Sequence, residues 1–171
     1  MSDSLHNTIE WQDRLDALVP LFGHRNWIVV ADAAYPAQSR AGIETIAAAA
    51  YQIDVLRTVL HAIESSSHVR ANIYLDHELE FVAEQMAAGV THYRDELPVL
   101  LRSANITRLL HEEIIDKLDQ AAQMFRVLII KTQLTIPYTS VFFELDCGYW
   151  DADAERRLRS TIAAAEPRPA P

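Results

Sequence analysis

Cysteine is almost missing from this chain of 171 residues: Cys147 stands alone. A lone thiol forms no intrachain disulfide, so the sequence reads as one suited to a reducing compartment. Glycine is nearly as scarce, with four in the chain, and none belongs to a Gly-rich phosphate loop. There is no CxxC pair and no HExxH, because HEEII at 111–115 lacks the second histidine of that zinc motif. His61 and His68, seven apart, are too weak a signal for a metal. No block of Lys or Arg occurs, and 24 acids outnumber 15 bases for a net charge of −9. That balance argues against nucleic acid and anionic membranes as partners and suits a neutral ligand. No apolar run approaches the ~20 residues of a membrane span. The opening MSDSLHNTIEW lacks a basic-then-apolar leader pattern. A soluble, cytoplasmic protein is expected.

What is present is a globular composition, half of it apolar. The pattern predicts one domain over 1–165 and a disordered, proline-marked tail at 166–171. Residues 8–22 carry Ile9, Leu15, Leu18 and Phe22 at helical spacing, closed by Gly23. WIVVA (27–31) reads as a buried strand and GIETI (42–46) as a short extended piece. Residues 52–65 place Ile53, Leu56, Leu60 and Ile63 on one helical face. VRANIYL (69–75) alternates as a strand does, and DHELEFVAEQMAAG (76–89) reads as a helix with Asp76 as N-cap and Gly89 as its stop. YRDELPVLLRSA (93–104) is ambiguous, since Pro98 can begin a helix or break one. NITRLL, then HEEIIDKLDQAAQMF, then VLIIKT and TSVFFEL follow as strand, helix and two strands, with DAERRLRSTIAAA as a terminal helix. Strands alternating with helices predict an α/β layered domain.

In open α/β sheets, ligands gather outside the carboxyl ends of the strands. Asp32 ends the first strand, and His111 follows NITRLL where a helix begins. Tyr138 joins them at that edge if VLIIKT and TSVFFEL form an antiparallel hairpin. His24 does not fit so simply. It precedes Asp32 by eight residues, roughly 26 Å of extended chain. Either the segment near Gly23 folds back, or His24 serves the site of a neighbouring subunit, which requires an oligomer. Each residue also has a plain structural reading. Asp32 can be a solvated strand end, His24 a loop histidine, His111 a helix start and Tyr138 a packed ring; Asp76 reads as a cap.

The stretch GHRNWIVVADAAYPAQS (23–39) resembles the signature of the D-ribose pyranase / L-fucose mutarotase (RbsD/FucU) family: Gly-His, an apolar strand, Asp-Ala, then a proline segment. YPAQS is similar to the Pro-Ala-His-Ser run of the fucose mutarotase branch. VLIIKT…PYTSVFF resembles the family's apolar strand, short loop and Tyr-x-Asn entry into the last strand. The likeness covers about 17 residues near the start and about 20 near residue 135; between them only an order of elements matches, and 76–104 aligns with nothing.

The resemblance implies a three-layer α/β/α fold with a mixed, mostly parallel sheet. It implies a cofactor-independent, metal-free isomerase that interconverts ring forms or anomers of a monosaccharide, in a ring-like homo-oligomer with sites at subunit interfaces. It assigns the catalytic histidine to His24 and sugar binding to Asp32, Tyr138 and Ser140, with His111 as a further contact. Ser140 stands where the family has Asn, which gives one hydroxyl in place of an amide and puts the substrate in question. Two other readings follow from that departure: a sugar-like-ligand binding or regulatory protein that turns nothing over, and a structural oligomer with a vestigial pocket.

Overall fold

The computed structural model describes residues 11–102 and 105–165. The expected helix start at 8–10 and the tail at 166–171 lie outside the described residues. Helix α1 occupies residues 11–18 and buries Trp11, Leu15 and Leu18. It ends before Gly23, tightening into a 3-10 turn at Val19–Leu21, where Pro20 has no N–H to continue the ladder.

Among the described residues six strands form one mixed sheet: β1 (Trp27–Ala31), β2 (Ile43–Ala47), β3 (Val69–Asp76), β4 (Ile106–Leu109), β5 (Val127–Lys131) and β6 (Val141–Cys147), in the order β2-β5-β1-β6-β3-β4. Pairing is parallel for β1 with β5, β2 with β5 and β3 with β4, while β6 runs antiparallel to both β1 and β3. The expected β5–β6 hairpin is therefore absent, because β1 lies between those strands. WIVVA is buried at every position, and a strand apolar on both sides belongs in the sheet interior, covered on both faces. The connection between β5 and β6 must then cross the carboxyl end of β1, and this crossing brings Tyr138 toward Asp32.

Helices α2 (Gln52–Glu64), α3 (Val90–Leu101) and α4 (His111–Ala121) cover the two faces, and α5 (Ala152–Ala165) follows the last strand. One face packs Ile28, Val30 and Phe143 against α1, α2 and α3; the other packs Trp27, Val29 and Phe142 against Ile114 and Leu118 of α4. These are the three layers that strand–helix alternation predicts. No residue of α5 is buried. Among the described residues no helix is long and apolar enough to cross a membrane.

Two local expectations are corrected. The buried face of α2 is Gln52, Val55, Leu56, Val59 and Ile63, so Ile53 and Leu60 turn toward the rim. The helix is rotated because the Gln52 amide is taken inward to the Thr139 carbonyl, the Tyr93 hydroxyl and Thr132. The second correction concerns 76–89. Asp76 finishes β3 and makes no side-chain cap; the chain then forms a 3-10 turn, His77–Phe81, in place of a long helix. Gly89, at φ 89°, is not a stop but the N-cap of α3, and Pro98 sits within that helix. Glu84 explains the new boundary: its carboxylate accepts the Gly89 N–H at 2.6 Å and the Thr91 N–H at 3.0 Å. Those two amide bonds hold the Glu84 carboxyl at about 2, as expected for a carboxylate at a helix N-terminus.

Candidate active site

At the carboxyl edge of the sheet, β1, β3, the β4–α4 junction and the β5–β6 loop end together. They enclose a cleft of about 510 Å³ lined by Asp32, Tyr35, His111, Ile136 and Tyr138, within the ~300–1,000 Å³ range of small-molecule sites. Asp32 is anchored on both oxygens: Oδ1 accepts the Ala34 N–H at 2.9 Å and Oδ2 accepts the Ser140 hydroxyl at 3.2 Å. One oxygen thus has the backbone partner of a plain strand end, and the other meets a second predicted site residue.

His111 begins α4, and its backbone N–H donates to both Glu78 carboxylate oxygens at 3.1 Å. Its ring meets the Tyr138 ring edge-on at a centroid distance of 5.8 Å. Nδ1 lies 3.0 Å from Oδ2 of Asp76, whose side chain is 0% exposed. The Asp76 contact pushes the His111 imidazole up from its ordinary value, against the opposing effect of burial. Burial pushes the Asp76 carboxyl up in turn, and the His111 bond only partly offsets this.

The β5–β6 loop is held from below. Gln52, 1% exposed, donates to the Thr139 carbonyl and, at 2.8 Å, to the Tyr93 hydroxyl. Tyr93 itself donates to the Thr139 carbonyl at 2.7 Å, and Thr132 lies 2.9 Å from the Gln52 carbonyl. These buried bonds explain why α2 turns Gln52 inward, since an unpaired buried amide is costly. The loop also carries Tyr138 at φ 59°, a left-handed conformation that disfavours any side chain with a Cβ. Tyr138→Gly is therefore expected to be more stable than Tyr138→Ala by about 0.5–1 kcal/mol, and chemical denaturation midpoints measure the difference. Equal midpoints would show that the backbone there is not strained.

His24 lies at the opposite end of β1. Its side chain is 58% exposed, with Nδ1 2.9 Å from Oδ1 of Asp146, and Arg25 donates to its Nε2 at 3.2 Å. Burial raises the Asp146 carboxyl, but bonds from Arg70, the Cys147 amide and His24 bring it below its usual value. His24 borders a separate hollow of about 560 Å³ with Arg70, Trp150 and Glu155. Asp32, His111 and Tyr138 thus line one cleft, with Ser140 buried against Asp32, and His24 does not reach it. The five residues of β1 alone span roughly 17 Å, so one chain does not place His24 and Asp32 on one small molecule. Asp76, Glu78 and Gln52 are the residues that pattern reading missed. For Asp76 a signal existed: it ends an apolar strand, as Asp32 does.

No individually curated protein sequence matches the chain significantly. Among solved structures, Bacillus subtilis RbsD complexed with D-ribose superimposes with a TM-score of 0.55 at 18% identity, covering 78% of this chain and 91% of that one. The fucose mutarotase of Streptococcus pneumoniae in complex with L-fucose gives 0.51 at 19% identity, covering 76% and 89%. FucU from Bifidobacterium longum gives 0.50 at 15%, covering 78% and 94%. These likenesses establish a shared fold. A model of the RbsD / FucU transport protein family matches residues 12–147, all six strands of the sheet and every residue of the cleft, and the chain belongs to that family.

Proposed function

We propose that this protein opens and recloses the hemiacetal ring of a monosaccharide, as a mutarotase or pyranase-type isomerase without a cofactor. The observation that carries this reading is the convergence of Asp32, His111 and Tyr138 on one cleft, with buried Ser140 bonded to Asp32. The Asp32 side chain accepts sugar hydroxyls, His111 and Tyr138 add polar contacts beside an aromatic wall, and Ser140 orients Asp32. The ribose and fucose complexes of proteins with this fold agree with a sugar of that size.

Ring opening moves two protons. One leaves the anomeric hydroxyl, and one arrives at the ring oxygen as the bond from that oxygen to the anomeric carbon breaks. An open-chain carbonyl results. Reclosure on the other face, or through another hydroxyl, reverses both transfers. A histidine with a pKa near ~6.5 can give or take a proton at neutral pH. His24 is assigned one of the two transfers, supplied to the cleft by a second copy of the chain in a ring-like homo-oligomer.

Exchange NMR on ribose, fucose and a panel of monosaccharides tests the reading. Wild type is expected to accelerate anomer or ring-form exchange for at least one sugar, and His24→Ala to lose about 10²–10⁴-fold of that acceleration. Equal rates for the two proteins on every sugar would end the enzymatic proposal. Saturable binding without acceleration would identify a non-catalytic sugar-binding protein instead. The Arg25 bond to Nε2 of His24 favours that second reading where the assembly leaves it in place.

A further inference from the structure

We infer that Asp76 is a positioning residue for His111, holding the ring with Nδ1–H on the carboxylate and Nε2 turned to the cleft as a second proton-handling atom. This rests on the isomerase reading above, but its geometry is read independently of turnover.

Asp76 is the group whose placement the fold alone does not explain. It ends β3 with a fully buried side chain, and it makes no cap for the turn that follows. Among the described residues, its Oδ1 has no hydrogen-bond partner. A carboxylate buried without a matching partner destabilises a fold, so a position of this kind is maintained only against a cost. The cations nearby are engaged elsewhere. Across a hollow of about 90 Å³ stand Arg94 and Arg108. Arg94 donates to the carbonyls of Leu79, Glu80 and Val82, and Arg108 pairs with Glu80 at 2.8 Å. His111 is left as the ion-pair partner of Asp76.

With Asp76 ionised the carboxylate only accepts, and the 3.0 Å bond then places the proton on Nδ1 of His111. In the neutral ring Nε2 then carries the lone pair, and among the described residues no protein group occupies it. The ring is held by the Asp76 bond at Nδ1 and packs edge-on against Tyr138, while Glu78 holds the His111 backbone amide. The charged groups that bear on this imidazole are all acids: Asp76 from β3, Glu78 from the 3-10 turn and Glu112 from α4 itself, with Asp32 of the β1 end acting on Asp76. Their field favours the protonated ring, and burial opposes it.

This supplies the site that ring opening lacks. One histidine serves one oxygen at a time, and opening requires a base at the anomeric hydroxyl and an acid at the ring oxygen. With Nε2 of His111 taking the anomeric proton, His24 delivers the other to the ring oxygen as its bond to the anomeric carbon breaks. Reclosure returns both protons, and no net charge or proton is lost.

Ring 15N shifts of His111 in the intact wild-type protein give the first test. The neutral ring is expected to be the Nδ1–H tautomer; the Nε2–H tautomer, with the proton on Asp76, would overturn the inference. The second test is Asp76→Asn, which keeps an acceptor for Nδ1–H and removes the charge. Exchange is expected to fall roughly 10–100-fold, the usual effect of removing an orienting carboxylate behind a functional histidine. The rise of activity with pH should shift to lower pH, because the carboxylate that raises the His111 pKa is gone. Sugar affinity should change little. In a His111→Gln background, Asp76→Asn should have no further effect on exchange, since it acts through His111. An unmoved pH profile, or additive losses in the double variant, would show a structural role only. If Asp76→Asn does not fold, the wild-type tautomer still decides. A wild type that accelerates no sugar yet holds His111 as Nδ1–H would defeat the isomerase reading and leave the positioning of the ring standing.

Discussion

Mixed oligomers built from His24→Ala and Asp32→Asn subunits are expected to regain sugar-ring exchange that neither variant has alone. His24 and Asp32 flank the same strand at its two ends, and β1 is buried throughout, so no local rearrangement brings them together. A site that uses both must draw them from two copies. In an equimolar random mixture, half the subunits carry His24 and the other half Asp32, so about one shared site in four holds both. The recovered rate should therefore approach a quarter of the wild-type rate, against a loss of about 10²–10⁴-fold in the His24→Ala parent, where acid/base action is removed, and a loss of sugar binding in the Asp32→Asn parent. The Asp32→Asn side chain still accepts the Ala34 N–H and reaches Ser140, so the β1 end keeps its turn. Exchange NMR on the mixture, after subunit scrambling verified by mass spectrometry, gives the answer. Scrambled oligomers as inactive as their parents would mean that His24 and Asp32 do not share a site, and the catalytic assignment of His24 would fall with it.

The parts of this geometry that are legible in the sequence are those set by local pattern. WIVVA has no polar position, so its place inside a two-faced sheet follows from composition. Asp32 and His111 each mark a strand or helix boundary, and strand ends in an α/β sheet are where ligands sit. Other features depend on partners that a linear pattern does not display. Nothing in VLIIKT or TSVFFEL records that β1 lies between them; strand order is settled by which faces must be covered. Ile53 and Leu60 have the right spacing for a core stripe, yet burying Gln52 against Thr139 and Thr132 turns α2 away from it. Asp76 shows the ambiguity best. An acid before an acid-rich, helix-spaced segment reads as an N-cap, but the carboxylate finds a histidine 35 positions away. Tertiary pairing has overridden local propensity there, and the helix that the cap would have started is reduced to a 3-10 turn.

The largest stability losses are expected at two adjacent phenylalanines that face opposite layers. Phe142 and Phe143 are both fully buried on β6, the strand that joins the two halves of the sheet through β1 and β3. Truncation of either to Ala should cost about 3–5 kcal/mol, the transfer free energy of the ring together with the cavity left behind. That is a large share of the ~5–15 kcal/mol that holds a typical domain folded. Their effects on the cleft should differ. Phe142 faces α4 and meets the ring of Tyr35 edge-on at 6.4 Å, and Tyr35 lines the cleft. Phe143 faces α2 and α3, on the other side of the sheet. Removing the Phe142 ring therefore takes away the support of the cleft wall, while removing the Phe143 ring leaves that wall packed. Urea denaturation should give similar losses for both variants, and sugar titration of the folded fractions should show weakened affinity for Phe142→Ala alone. Equal loss of affinity in the two variants would mean that the cleft depends on global stability rather than on the Phe142–Tyr35 contact. A stability loss below about 1 kcal/mol at either position would show that its layer repacks around the cavity, since the cost of a truncation depends on how well the site can collapse.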